Sequence, residues 1–332
     1  MKNRLLVGCL VGALALGLGA YSTKVFQTTT EKPVSEPYAY ETCDIGASES
    51  TVALAKYAQG SVTKTFELTV PDLTRPLAKA EVLELPTGRN LIVGWESLVG
   101  APVLRSDIYP LEEIALVEAL NKYLPKDTRV FAMPALSDRL AALSVGTYPF
   151  AALASLQIPT APAGAEQAVQ RLESRWLGNT DVTEQPAEFQ SFLEALISEE
   201  QFGAARLQAL AGGQEAYVIL HVRDSFDVGT MKPEEIHVGL RDFPGSGHAH
   251  DMTRQVKTWI AEKDYAAYAV QQINGGETIR TYFLAEGTDK ATLLGQLLPF
   301  NTSGIGLVNG TSLVFQAGGY WVYRIKPVGV SN

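Results

Sequence analysis

The chain has 332 residues, with 27 Lys and Arg against 36 Asp and Glu, for a formal charge of −9. Hydrophobic residues make up 46% and charged residues 19%, the composition of a folded globular protein. The acidic balance argues against a nucleic-acid partner, because neutralising phosphates needs an excess of Lys and Arg. Two cysteines, with no Cys-x-x-Cys-His, exclude c-type haem attachment and a cysteine-rich zinc or iron–sulfur centre.

Lys2 and Arg4 precede an unbroken apolar run, Leu5 to Tyr21. A basic flank followed by such a run reads as a secretory signal or an N-terminal membrane anchor within residues 1–22. The run is short beside the roughly 20 residues of a spanning helix. Ala20-Tyr21-Ser22 offers small residues for cleavage after Ser22. The positive flank predicts an N-terminus held inside and a periplasmic remainder anchored at, or secreted across, the inner membrane. Cys9 lies in the targeting segment, which leaves Cys43 as a lone thiol. Residues 23–50 are rich in Thr, Ser, Glu and Pro without an apolar period and read as a flexible tether.

An α/β domain is predicted over 51–327, with sub-halves 51–160 and 188–327. Its expected fold is a mixed sheet with βαβ units and antiparallel hairpins, the helices packed on the sheet. Thr51–Gln59 and Val62–Val70 flank Gly60-Ser61 as a hairpin. Asn90–Trp95 reads as a buried strand. A helix starts at Pro110, with Glu112 and Glu113 complementing its dipole and Leu111, Ile114, Val117 and Leu124 on one face. Arg129–Met133 reads as the next strand, and Ser137-Asp138 caps a helix ending at Leu143. Strand, helix, strand, helix suggests a βαβ unit and a parallel pair.

Helices follow at Ala165–Leu177, Phe189–Leu196 and Glu199–Leu210, then a strand at Tyr217–Val222. Residues 223–250 read as a long irregular segment, and Asp251–Lys263 as a helix. Tyr265–Ile273 and Thr278–Leu284 form a hairpin, Lys290–Leu298 a helix, and Thr311–Gln316 with Tyr320–Ile325 a final hairpin.

Three places could carry chemistry or contact. His237, His248, His250 and Asp251 share the 237–251 segment and could ligate one metal, although two neighbouring His do not establish convergence; Asp251 as a helix cap is the plainer reading. Trp95, Glu96 and Ser97 follow a strand, where α/β folds often bind ligands, but no Gly-x-Gly-x-x-Gly or Walker pattern is present. Tyr320, Trp321 and Tyr323 give the last hairpin aromatic faces suited to a partner. A Ser–His–Asp hydrolase finds no nucleophile elbow, and Asp224 and Asp227 beside His221 read as ordinary loop carboxylates.

The strings Asn90-Leu91-Ile92-Val93-Gly94-Trp95-Glu96-Ser97-Leu98-Val99-Gly100 and Pro102-Val103-Leu104, with Leu298-Pro299-Phe300 and Phe315-Gln316-Ala317-Gly318-Gly319-Tyr320-Trp321-Val322-Tyr323, resemble the hydroxylamine oxidation protein HaoB family. The resemblance implies a non-catalytic, membrane-associated accessory protein of nitrification. Its partner would be a multihaem hydroxylamine oxidoreductase, which carries the electron-transfer chemistry, and the chain itself would hold no cofactor. The resemblance supplies no catalytic residues. Rival readings are a metal- or small-ligand-binding periplasmic protein, or an enzyme, using the 237–251 segment, and a small-ligand domain using the Trp95 loop.

Overall fold

The computed structural model describes residues 36–71, 73–156, 158–178, 185–245, 249–273, 276–300 and 308–327, the side chains of 156 and 249–252 excepted. In chain order the elements are β1 (Ala39–Thr42), α1 (Glu49–Ala55), β2 (Val62–Thr69), β3 (Ala78–Glu84), β4 (Asn90–Ser97), α2 (Pro110–Tyr123), β5 (Val130–Phe131) and α3 (Pro134–Leu143). A 3-10 turn over Ala151–Leu156 leads to α4 (Glu166–Leu177), α5 (Ala187–Ile197), α6 (Glu200–Leu210), β6 (Ala216–His221), α7 (Asp224–Met231) and β7 (Val238–Pro244). Then come α8 (Ala249–Glu262), β8 (Ala267–Ile273), β9 (Thr278–Leu284), α9 (Gly287–Ala291), α10 (Leu293–Leu297), β10 (Thr311–Ala317) and β11 (Tyr320–Ile325).

The strands form three sheets, ordered β1-β2-β3-β4, β10-β11-β6-β5 and β7-β9-β8. The second is covered on both faces. Val218, Leu220, Tyr323 and Ile325 meet Phe189, Phe192, Leu207 and Leu294 from α5, α6 and α10. Ile219, Tyr320 and Val322 meet Leu116, Leu120, Leu136 and Leu140 from α2 and α3. Alternate side chains of a strand point to opposite faces, so two covered faces demand an unbroken apolar run. That is why β6 reads Tyr-Val-Ile-Leu-His without polar alternation. On the third sheet Val256 and Ile260 of α8 pack with Phe243 of β7 and Ile279 of β9.

In the first sheet a bulge decides where Trp95 goes. Gly94 pairs with Glu81 and Ile92 with Val82, leaving Val93 as the extra residue of β4. An inserted residue reverses the alternation beyond it. Leu91 and Val93 therefore join the core under α2 and α3, whereas Trp95 joins Ile92, Leu68, Val169 and Leu172 on the α4 side. Trp95 is 1% exposed, with the Arg105 guanidinium 4.6 Å from its ring centre and Tyr40 edge-on at 6.3 Å.

Several expectations need correction. Residues 51–59 are no strand: Ser48 Oγ accepts the Thr51 N–H at 3.2 Å, capping α1. β4 and β5 do not make one βαβ unit. After β4 the chain folds back, and Trp95 and Ile108 exchange both backbone hydrogen bonds at 2.9 and 2.8 Å. That occupies the free edge of β4, and β5 pairs in parallel with β6 instead.

On α2 the buried residues are Glu113, Leu116, Val117 and Leu120, whereas Leu111 is 71% exposed, because a buried ion pair takes a core position there. Ser137 and Asp138 lie inside α3, where Pro134 occupies the first turn. The irregular stretch 223–250 contains α7 and β7. The segment 290–298 is two helices divided at Thr292, whose hydroxyl accepts the Gly295 N–H at 3.1 Å.

The expected tether 23–50 contains β1, paired with β2 and fastened by Tyr38 and Tyr40, and the start of α1. From Pro37 on the chain clusters as one unit, and the β5–β6 pair joins the two expected halves. The apolar run 5–21 lies outside the described residues. Among the described residues no helix is long and apolar enough to cross a membrane.

Truncating a buried aromatic removes its transfer energy and leaves a cavity. Trp95→Ala is expected to lower unfolding free energy by roughly 3–5 kcal/mol in urea titration; a loss below about 1 kcal/mol would contradict a core role.

Candidate functional site

Where the loop 103–108, the starts of α2 and α7, α3 and the start of β9 converge, the chain buries charge instead of hydrocarbon. Arg139 Nε on α3 donates to both oxygens of Glu113 on α2, at 2.8 and 2.9 Å. Tyr320 on β11 donates its hydroxyl to Glu113 at 3.0 Å and accepts from Arg223 at 2.7 Å. Arg223 also donates to the Asp107 carbonyl at 3.3 Å. The Asp107 carboxylate takes Arg280 of β9 at 2.6 Å, and Arg280 grips Asp242 of β7 at 2.8 and 2.9 Å. Nearby, Arg105 donates to Glu173 of α4 at 2.5 Å, and that carboxylate accepts Tyr38 and Tyr40, each at 2.6 Å.

His221 closes β6. Its Nδ1 accepts the Arg223 backbone N–H at 3.1 Å, so the proton sits on Nε2, which lies 3.0 Å from Glu112. Burial first, and then Arg223, pushes the imidazole down to about 3, so it is neutral at physiological pH. Burial pushes Glu112 up, but the hydrogen bonds from His221 and the Gln271 amide, together with the nearby Arg223 charge, outweigh it and leave this carboxyl below its ordinary value. Both His221 nitrogens are engaged, so it offers no free lone pair as a catalytic base. A Cβ on Gly319 would come 2.2 Å from Nε2, which explains the glycine directly before Tyr320.

Asp224 and Asp227 lie one turn apart on the first turn of α7 and share a face. Asp224 accepts the His221 backbone N–H at 2.7 Å, and Asp227 accepts the Ser106 hydroxyl at 2.6 Å. Burial raises Asp224 to about 7 and Asp227 to about 6, against the pull of Arg223 and Arg139 on both. They face a cavity of about 50 Å³ that Arg105, Arg139, Arg223 and Asp138 also line. Asp138 is bridged to Arg89. The arrangement can hold a small polar molecule among charges and exchange protons near neutrality.

The residues singled out in the sequence do not converge. Trp95, Tyr320 and Tyr323 are buried and cannot meet a partner; both strand faces are covered, and the Tyr323 hydroxyl donates to the Leu297 carbonyl at 2.6 Å. Trp321 is half-buried and Glu96 exposed. Ser97 shapes its own loop, accepting the Val103 N–H at 3.2 Å and donating its N–H to Asp107 at 2.8 Å. His237 engages Asp289 at 3.4 Å. His248 lies outside the described residues, and His250 and Asp251 fall within α8 with side chains that are not described. Among the described residues no cluster of three or more His, Cys, Asp or Glu is disposed to hold a metal. The charged core was missed because Arg223, Asp224 and Asp227 follow a strand end and read as a solvated loop. Their signal was the pair of carboxylates three apart directly after an apolar run.

The pH dependence of stability tests this burial. The native Asp224 carboxyl holds its proton up to about pH 7, whereas an unperturbed one loses it near 3.8. The contribution of Asp224 to stability is thus complete below about pH 3.8 and lost as pH rises through about 7. Asn does not titrate. Asp224→Asn should match wild type at pH 4 and exceed it at pH 8 by on the order of 1–3 kcal/mol in denaturant unfolding. A difference that does not change with pH would refute the burial of an ionisable acid here.

A family model described as HaoA-associated protein HaoB matches residues 4–325, nearly the whole chain. No curated protein and no solved structure is significantly similar. The extent of the family match, through the first sheet, the charged core and the last hairpin, makes the chain a member of the HaoB family.

Proposed function

We propose that this protein is a non-catalytic accessory partner of HaoA, the multihaem hydroxylamine oxidoreductase, working in the periplasm and held at the inner membrane through residues 5–21. The observation that carries the reading is the family match over residues 4–325, whose description is association with HaoA. The sequence supports the division of labour: with only Cys9 and Cys43 it has no haem-attachment motif, so the redox chemistry falls to the partner. Lys2, Arg4 and the apolar run support export and anchorage.

The surface best suited to docking is apolar. The end of α2 and the strands β10, β11 and β6 frame a groove of about 190 Å³ lined by Tyr123, Leu124, Tyr217, Val314 and Phe315. Tyr123 is 71% and Val314 47% exposed. β10 is an edge strand, and exposed aromatics beside an open edge are a typical protein contact.

Tagged protein from detergent-solubilised native membranes should retain HaoA, detected by haem absorbance. Tyr123→Glu combined with Val314→Glu should reduce that retention at least tenfold while changing stability by less than about 1 kcal/mol. Full retention by the double variant would move the contact elsewhere, and no retention by wild type would reject the partnership. A reporter fused after residue 50 should be active only where exported reporters are; activity in the cytoplasm would reject the periplasmic location.

A further inference from the structure

We infer that the cavity at the start of α7 is a binding site for a small protonated amine, whose ammonium sits on Asp224 and Asp227. The inference is independent of the partnership with HaoA. It rests on which charges lining the cavity already have counter-ions. Arg105 is paired with Glu173, Arg139 with Glu113, and Asp138 with Arg89. Three charges remain: Arg223, whose hydrogen bonds go to the neutral Tyr320 hydroxyl and Asp107 carbonyl, and the carboxylates of Asp224 and Asp227. One cation against two anions leaves the lining one positive charge short.

The hydrogen bonds show the same deficit. Asp224 is 3% exposed and Asp227 is half-buried. Asp224 uses Oδ2 for the His221 N–H, and Asp227 uses Oδ1 for Ser106. Among the described residues nothing donates to the other oxygen of either, and both side chains line the cavity. A buried carboxylate oxygen without a donor is costly, and an ammonium group brings several donors together with the missing charge. Across the cavity the need is reversed. Arg139 uses Nε for Glu113 and Nη1 for the Ala135 carbonyl, leaving Nη2 without an acceptor among the described residues. A ligand with an oxygen beside its amine would satisfy both walls.

Size narrows the class. A water needs roughly 10–15 Å³ of cavity. A cavity of about 50 Å³ then takes a molecule of about three or four non-hydrogen atoms. Ethanolammonium fits this description, and tetramethylammonium, which has no N–H to donate, does not.

The sign of the pH dependence separates a cation from an anion. The groups acting on Asp224 and Asp227 are each other, Arg223 beside α7, Arg139 from α3, Arg105 and Ser106 from the loop, and the backbone N–H of His221. The arginines stay charged, and the His221 ring stays neutral above about pH 3. Asp138, which also lines the cavity and is raised by burial, is held on Arg89, so the acids without a counter-ion that titrate between pH 5 and 8 are Asp224 and Asp227. A cation needs both ionised and binds more tightly as pH rises; an anion would need them protonated and bind more tightly as pH falls.

The test is calorimetric titration of the full chain with ethanolammonium chloride and, separately, sodium formate, at pH 5 and pH 8 and constant ionic strength. The expected result is saturable ethanolammonium binding at pH 8, at least tenfold weaker at pH 5, and lost in Asp224→Asn and in Asp227→Asn, both checked for native circular dichroism. His237→Ala, at the distant His237–Asp289 contact, should bind like wild type. Absence of saturable amine binding, meaning a cavity that holds water only, would overturn the proposal. So would formate binding that tightens at pH 5, or amine binding unchanged in both Asn variants. If one Asn variant does not fold, the other variant and the wild-type pH slope decide.

Discussion

The ion pair between Glu113 and Arg139 is the constraint around which the rest is arranged. Both side chains are almost wholly out of water, and their two helices come from adjacent stretches of chain. A buried pair is held in place by the penalty for breaking it more than by its net gain, since removing either partner strands a charge. Tyr320 extends the pair to β11 and Arg223, and Arg223 reaches the carbonyl of Asp107. From Asp107 the chain of contacts runs through Arg280 to the third sheet. Side chains from all three parts of the fold thereby meet in a polar junction that hydrophobic packing alone would not orient.

How far this was legible in the sequence follows from what pattern reading can see. Elements with a clear period or sharp ends were found close to their observed bounds: α2, α4, the β8–β9 hairpin and the β10–β11 hairpin. The misses have physical causes. A single inserted residue in β4 turns Trp95 to the opposite face, and no composition rule marks Val93 as that residue. Glu113 was read as complementing a helix dipole and Asp224 and Asp227 as ordinary loop carboxylates, because charged side chains usually face solvent. Their burial depends on partners far away in sequence, as with Tyr320 and Glu113. The parallel pair was expected between β4 and β5, but the return of the chain at Ile108 takes the edge that pairing would need.

The aromatic residues teach a related lesson. From the sequence Trp95, Tyr320 and Tyr323, set in short apolar runs, could be either core or contact, and each is inside. Tyr123 and Val314, which had no special pattern, are the ones left facing water over the groove. Whether an aromatic is core or contact is settled by what covers its sheet face. For the central sheet that depends on helices distributed from α2 to α10.

The strand order of the central sheet also dictates a timetable. β6 lies between β5 and β11, and its register runs His221 against Tyr320 through Ala216 against Ile325. Ribosomal synthesis delivers β11 about a hundred residues after β6, and contacts of such long sequence separation form slowly. Until then β6 presents one unpaired edge, the profile of a sticky intermediate. Trimming a few residues from the C-terminal hairpin would thus do more harm than its size suggests, for it would leave the middle strand of the molecule without its neighbour.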